Sequence, residues 1–303
     1  MGLAQNIEKQ HFLLRRLHSL SGIVPIGVFL VAHLVTNSSL AWGRFALRGE
    51  GVKGPDDAGV LEGGAQYFQH EVAWINESIP HLLLIEITLW SAIAFHSVLG
   101  FFYATSGKRN TERYAYQDNW RYTLQRWSGY IGVAFIFYHV ATLRWGWTWL
   151  VPGGAQWSHH FSASTLAAAL KGSTDAFTMG GLLVSLLYFA GITLLVFHFA
   201  NGLWTAAITW GVTITTQAQR RWGYVCTAIG VGMMGAGWSS LAATLALDPA
   251  RAEMVEYDIL VEEKGREIAD EIREEKSLFG HQDATQAELT AVPGATDDAS
   301  NNP

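Results

Sequence analysis

The chain has 303 residues, 50% of them hydrophobic and 15% charged, against about 25% charged in an ordinary soluble domain. Of its 26 acids, 15 fall between Asp248 and Pro303, so the first 247 residues are too poor in charge for a soluble enzyme. A net charge of −6 argues against nucleic-acid binding. The single cysteine, Cys226, excludes an internal disulfide, a zinc-finger cage and an iron–sulfur cluster held by this chain.

Five long apolar runs follow in chain order: Leu17–Leu40, Ile79–Ala104, Trp127–Trp147, Met179–Ala207 and Trp222–Leu247. Each has about 20 residues or more, enough to cross a hydrocarbon layer of about 30 Å. Backbone polar groups in lipid must pair within their own segment, so the runs are predicted to be helices I to V. Ser78 and Pro80 look like an N-cap and a first-turn proline for helix II, and Pro25 like a tolerated kink in helix I. The N-terminal run is too long for a cleaved signal and is expected to stay as an anchor.

Basic residues set the orientation. Lys9, Arg15 and Arg16 precede helix I; Lys108, Arg109, Arg113, Arg121 and Arg126 lie between II and III; Arg220 and Arg221 lie between IV and V. The alternate connections are longer and hold only Arg44, Arg48, Lys53, Arg144 and Lys171. The N-terminus is therefore expected in the cytoplasm and the C-terminus outside, with Trp145, Trp147 and Trp149 as an outer aromatic belt. Residues 1–247 form the membrane domain, and 248–303 an acidic tail. In that tail Met254, Tyr257, Val261, Ile268 and Ile272 suggest one amphipathic helix, with a polar, disordered end after His281. A solvated acidic appendage is the expected state of this tail. Gly230, Gly232 and Gly235 match a dinucleotide-binding spacing but sit inside helix V with no strand before them, which makes them a helix-packing face.

Four of the 11 histidines fall inside helices: His33, His96, His139 and His198. An ionisable group at membrane depth is costly and points to function. Helices I and III run outward and II and IV inward. Counting residues from each helix start therefore puts His33 and His139 in the outer half, and His96 and His198 in the inner half. A weak internal repeat agrees. Phe95, His96, Gly100 and Phe102 match Phe197, His198, Gly202 and Trp204, and Phe29 with His33 matches Phe135 with His139. Gly100 and Gly202 lie one turn from their histidines, where a missing side chain would admit a flat ring. Two imidazoles facing each other at one depth make a bis-histidine haem site suited to electron transfer. Two such sites would give a four-helix haem bundle of helices I–IV with helix V beside it. No depth gathers three ligands for zinc or copper.

The stretch Arg15–Arg–Leu–His–Ser–Leu–Ser–Gly–Ile–Val–Pro–Ile–Gly, running on to His33–Leu–Val–Thr–Asn, resembles the opening of the dihaem cytochrome b anchor of bacterial succinate dehydrogenases and fumarate reductases. Phe95–His–Ser–Val–Leu–Gly, Gln125–Arg–Trp–Ser–Gly, Phe197–His–Phe–Ala–Asn–Gly–Leu–Trp and Thr209–Trp–Gly–Val–Thr–Ile–Thr are similar to the same family. The resemblance runs from about residue 15 to residue 215. It implies a five-helix integral membrane protein of the bacterial cytoplasmic membrane. It implies two b haems on His33, His139, His96 and His198, and exchange of electrons with a quinone, expected to be menaquinone. It also implies a flavoprotein and an iron–sulfur subunit on the cytoplasmic face. The acidic tail and the long outer loop Val151–Thr178 depart from the family pattern.

Four further residues join the candidate site. Glu86, the only acid well inside a helix, is a proton carrier for quinone or a partner of a polar neighbour. Arg16 and Arg126, at cytoplasmic helix starts, can pair with haem propionates or with lipid headgroups, and His18 can bond a propionate or cap the interface. Asn37 and Asn201 lie near the histidines without an assigned role. His70, His81, His159 and His160 belong to outer loops. A cytochrome b subunit of another dehydrogenase or hydrogenase, or an ion transporter without haem, are the competing functions. A retinal-type receptor lacks a lysine in any helix core.

Overall fold

The computed structural model describes residues 3–80, 82–106 and 117–276. His81, Lys108, Arg109, Arg113 and the polar end after His281 lie outside the described residues.

Helix I is two helices in line, α1 (Leu3–Ile23) and α2 (Pro25–Ala46). Pro25 has no N–H to donate, so one rung of the ladder is missing at the joint. The bonds Val24 N to Leu20 O (2.9 Å) and Val28 N to Val24 O (3.3 Å) carry the helix through it. After α3 (Val60–Ser78) come α4 (Leu82–Ser106), α5 (Gln117–Leu143), α6 (Ser162–Lys171), α7 (Met179–Thr209), α8 (Thr216–Ala246) and α9 (Pro249–Lys264). A last helical run, α10, covers 266–276. Thr178, Thr215 and Asp248 cap α7, α8 and α9 through their side-chain oxygens, which satisfies N–H groups that have no partner inside the helix. Among the described residues no strand occurs.

Four helical stretches are long and apolar enough to cross a membrane: Gln10–Ala46, Leu82–Thr105, Met179–Thr209 and Thr216–Ala246. The chain is a multi-pass membrane protein. Its exposed surface fits this, since Val28, Leu83, Val98, Leu183 and Val231 all point away from the interior. α1 packs on α4 and α7, α5 on α7, and α8 on α2 and α7.

The connections hold more structure than the apolar runs suggest. Ser78 is the last residue of α3 and Ile79 is extended, so the cap read at Ser78 belongs to no start of α4. α3 lies close along α2, because Gly63 and Gly64 leave room for Arg44 and the Leu40 carbonyl. α3, α6 and α9 pack together at one end of the molecule. A core of Leu40, Phe68, Leu166, Leu170, Leu241 and Leu247 joins them to the ends of α2 and α8. We call this assembly the cap.

The segment from Asp248 is thus no solvated appendage where it is described. Ala252, Val255, Ile259 and Leu260 are buried, and Gly265 (φ +86°) ends α9, so the tail holds two helices. Of the five apolar residues read as one stripe, Tyr257, Val261 and Ile272 pack around Phe161, while Met254 and Ile268 are exposed. Glu256 is fully buried and accepts hydrogen bonds from the Ala163 N–H (2.6 Å) and the Ser164 hydroxyl (2.5 Å) at the start of α6. Burial pushes its carboxyl up to about 7, against the pull of those donors. Arg251 ties Glu62 (2.5 Å) to Asp57 (3.1 Å), and Lys264 pairs with Glu77 (2.9 Å).

In α8, Gly230 meets Ala200 of α7, while Gly232 and Gly235 face open space. The residue that lets α7 approach is Gly237, against Ile192. The packing face is therefore shifted from the one the glycine spacing suggested.

Candidate functional site: two histidine pairs inside the bundle

The four helical histidines meet two by two. The ring centres of His33 on α2 and His139 on α5 are 5.7 Å apart. Those of His96 on α4 and His198 on α7 are 6.1 Å apart. The outer and inner pairs are separated along α5 by the eleven residues from Ser128, beside His198, to His139, or about 16 Å of helix rise. α5 reaches both levels, and so does α7, through His198 at the inner pair and Tyr188 at the outer.

The inner pair is held by matching parts of α1 and α5. His96 Nδ1 lies 2.9 Å from the His18 carbonyl, and His198 Nδ1 lies 3.1 Å from the Gln125 carbonyl. A carbonyl only accepts, so each Nδ1 carries the proton and leaves Nε2 with a free lone pair. This is the usual second contact of a metal-bound histidine. Ser21 and Ser128 donate to the same two carbonyls, at 2.8 and 3.1 Å. Gly22 and Gly129 follow these serines directly. A Cβ at Gly22 would come within 2.5 Å of His96 Cε1, and one at Gly129 within 3.1 Å of His198 Cε1. Absent side chains therefore let both imidazoles approach the helices that hold them.

At the outer pair, His139 Nδ1 is 3.2 Å from the Tyr188 hydroxyl. Asn37 Nδ2 donates to the His33 carbonyl at 2.8 Å. Phe29 stacks on His33 and Phe135 on His139, one turn before each. The Phe135 ring fills the gap left by Gly191.

The other candidates are spread more widely. His18 stacks on His96 with ring centres 4.1 Å apart, and its carbonyl serves that histidine. Gly100 faces His18, and Gly202 faces Gln125, rather than the paired rings. Arg16 lies over Phe12 and Trp210. Arg126 bonds Tyr122 on its own helix. Glu86 forms an ion pair with Arg144 at 2.7 Å, half-exposed at the far end of α4 from His96; one turn on, Trp90 stacks on Trp145. The His159 and His160 rings lie against each other at a tilt in the cap, and His70 lies on α3. Among the described residues no group of three or more His, Cys, Asp or Glu can hold a metal ion.

Gly22, Gln125 and Gly129 lie inside the motifs that carry the resemblance but had no role of their own in the sequence, and Tyr188 lies outside those motifs. The recurring Ser–Gly of residues 21–22 and 128–129 carries the signal for the two glycines. Tyr188 carries none, since nothing local marks a tyrosine ten residues before a histidine.

The pairs fit a flat metal-centred ring. A metal–imidazole bond of about 2 Å on each side, plus the radius of each ring, puts two opposed imidazole centres about 6 Å apart. Three buried polar atoms lack a hydrogen-bond partner among the described residues: His18 Nε2, on the ring stacked on His96; Tyr103 Oη, on the ring edge-on to His18; and Arg16 Nε, two residues before His18 on α1. A carboxylate-bearing group would satisfy them.

No family model matches the chain, and no solved structure matches it. It is 32% identical over 236 residues to the succinate dehydrogenase cytochrome b558 subunit of Bacillus subtilis (strain 168). That match covers 77% of this chain and 97% of the relative. Identity at this level over nearly the whole relative shows that the chain belongs to the family of succinate dehydrogenase cytochrome b subunits.

Proposed function

We propose that the chain anchors a succinate:quinone oxidoreductase in the bacterial cytoplasmic membrane and carries electrons across it. His96 with His198 would hold one b haem, and His33 with His139 a second. A bis-histidine haem supplies one-electron transfer, because both axial positions are filled and the iron is closed to substrate. The observation that carries this proposal is the pairing itself: four imidazoles from four different helices, at two levels, with each pair about 6 Å across.

The chain's own residues would do the rest. The carbonyls of His18 and Gln125 fix the tautomers of the inner pair and leave each Nε2 free to hold the iron. Arg16, His18 and Tyr103 offer donors to a carboxylate beside the inner pair. Arg126, the other candidate partner for a carboxylate, has its guanidinium engaged by Tyr122 on its own helix. Apolar helix faces exclude water from both levels. In this proposal α5 is a fifth crossing. It contributes to both pairs, and the segments on either side of α4 and α5 place α3 and α6 in one cap. The N-terminus would be cytoplasmic. A flavoprotein and an iron–sulfur subunit would dock beside the inner pair, and electrons would pass outward to menaquinone. Glu86, paired with Arg144 at the outer end of α4, is the proposed proton carrier for quinone.

Haem quantified per chain from a reduced-minus-oxidised spectrum tests this. Two b haems are expected in a complex that also contains a flavoprotein. One haem, none, or a different catalytic partner would overturn it.

A further inference from the structure

Resting on the haem assignment above, we propose that Arg121 is a positioning charge for the inner pair, held there by Asn201 and Gln125, and that it raises the reduction potential of the inner haem. The contacts form a continuous relay. Arg121 Nη2 donates to Asn201 Oδ1 at 2.7 Å, and Asn201 Nδ2 donates to Gln125 Oε1 at 2.8 Å. Gln125 Nε2 then donates to the His198 carbonyl at 3.1 Å, while the Gln125 carbonyl accepts from His198 Nδ1 at 3.1 Å. The guanidinium also lies over the Trp204 ring, 4.5 Å from its centre. Asn201 is buried, and both ends of its amide are used.

The relay occurs on one side only. In the repeat that relates α4 to α7, Leu99 stands where Asn201 does. In the Ser–Gly repeat that relates α1 to α5, His18 stands where Gln125 does. His96 is nonetheless oriented by a carbonyl and a serine just as His198 is. Holding an imidazole in place therefore does not require the relay, and the relay adds a cation. A guanidinium stays charged at every relevant pH. A fixed positive charge in a partly buried site is weakly screened and favours the state that has gained an electron.

The test is a potentiometric titration of the intact complex, with the two haems resolved and the inner one identified by its response to His198 replacement. Arg121→Gln is expected to lower the inner haem's potential so that, at fixed ambient potential, its reduced-to-oxidised ratio falls roughly tenfold, about 59 mV for a one-electron couple. The outer haem is expected to stay put. Arg121→Lys keeps the charge and should move the inner potential much less. Asn201→Leu, which copies α4, frees the arginine and should lower only the inner potential, and it decides the matter if Arg121→Gln loads no haem. Unchanged inner potentials in a variant that keeps both haems would overturn the proposal, as would equal shifts in Arg121→Lys and Arg121→Gln. Preparations of the native complex without two b haems would instead refute the haem assignment itself.

Discussion

Two glycines and two serines fix the inner pair more tightly than its neighbours in sequence suggest. A methyl group at Gly22 would overlap His96, and one at Gly129 would press on His198. Overpacking of this kind typically costs about 1–3 kcal/mol. Gly22→Val is therefore expected to weaken or abolish the inner haem while leaving the outer one, as read from the spectrum of the purified complex; an unaltered spectrum would show that the helices yield freely. By the same logic, His96→Ala and His198→Ala should each remove the same haem, and His33→Ala and His139→Ala the other. Any crossed pairing in difference spectra would contradict the geometry. Glu86→Gln should slow quinone turnover with haem content intact, and unchanged turnover would reject a proton role for Glu86. At this scale the sequence was legible where chemistry is rare in its setting. A histidine inside an apolar run stands out, and helix rise alone predicts its depth. Gln125 stood out only as the first residue of a motif and Tyr188 not at all, because polar residues near a helix end and single aromatics are common.

The cap shows how an element is decided by what lies on both sides of it. α9 is gripped by α3 and α6 at once, so its buried residues follow two faces and no single stripe. This is why Met254, on the stripe that the spacing suggests, is exposed, while Val255 beside it is buried. Glu256 joins α9 to the first turn of α6 with a carboxyl raised to about 7 by burial. A carboxyl raised in the folded state binds its proton more tightly there than in the unfolded chain. Its contribution is therefore complete at acid pH and is lost as pH rises from about 4.5 through about 7. The shift corresponds to roughly 3 kcal/mol, at about 1.4 kcal/mol per unit. Amide exchange in α6 and α9, corrected for its intrinsic pH dependence, should accelerate between pH 5 and pH 8. Glu256→Gln should flatten that dependence, and equal slopes in the two proteins would remove Glu256 as the cause.

For the whole molecule, the arrangement of the cap constrains topology. α3 joins α2 to α4, α6 joins α5 to α7, and α9 follows α8. Since these three meet at one end, the helices between them must run back and forth through the bundle. An impermeant thiol reagent applied to intact cells should label a cysteine placed at exposed Asp175 or Glu271, and should spare one at Ile214 in the opposite turn. Native Cys226 is buried and adds no background. Labelling at Ile214 and protection in the cap would invert the orientation read from the basic residues.

The sequence by itself determined that the chain lives in a membrane, where its main helices run, and which four histidines fall inside them in two sets. Lipid forces backbone bonds to close within each segment, and a helix has a fixed rise, so these features follow from local pattern alone. Only the tertiary structure decided which carbonyl orients each inner histidine, which glycines make room for the rings, that Arg121 reaches inward through Asn201, and that the acidic segment folds onto α3 and α6. Those outcomes depend on residues that meet across about 70 positions or more in the chain, and no periodicity along one helix encodes what its neighbour will present.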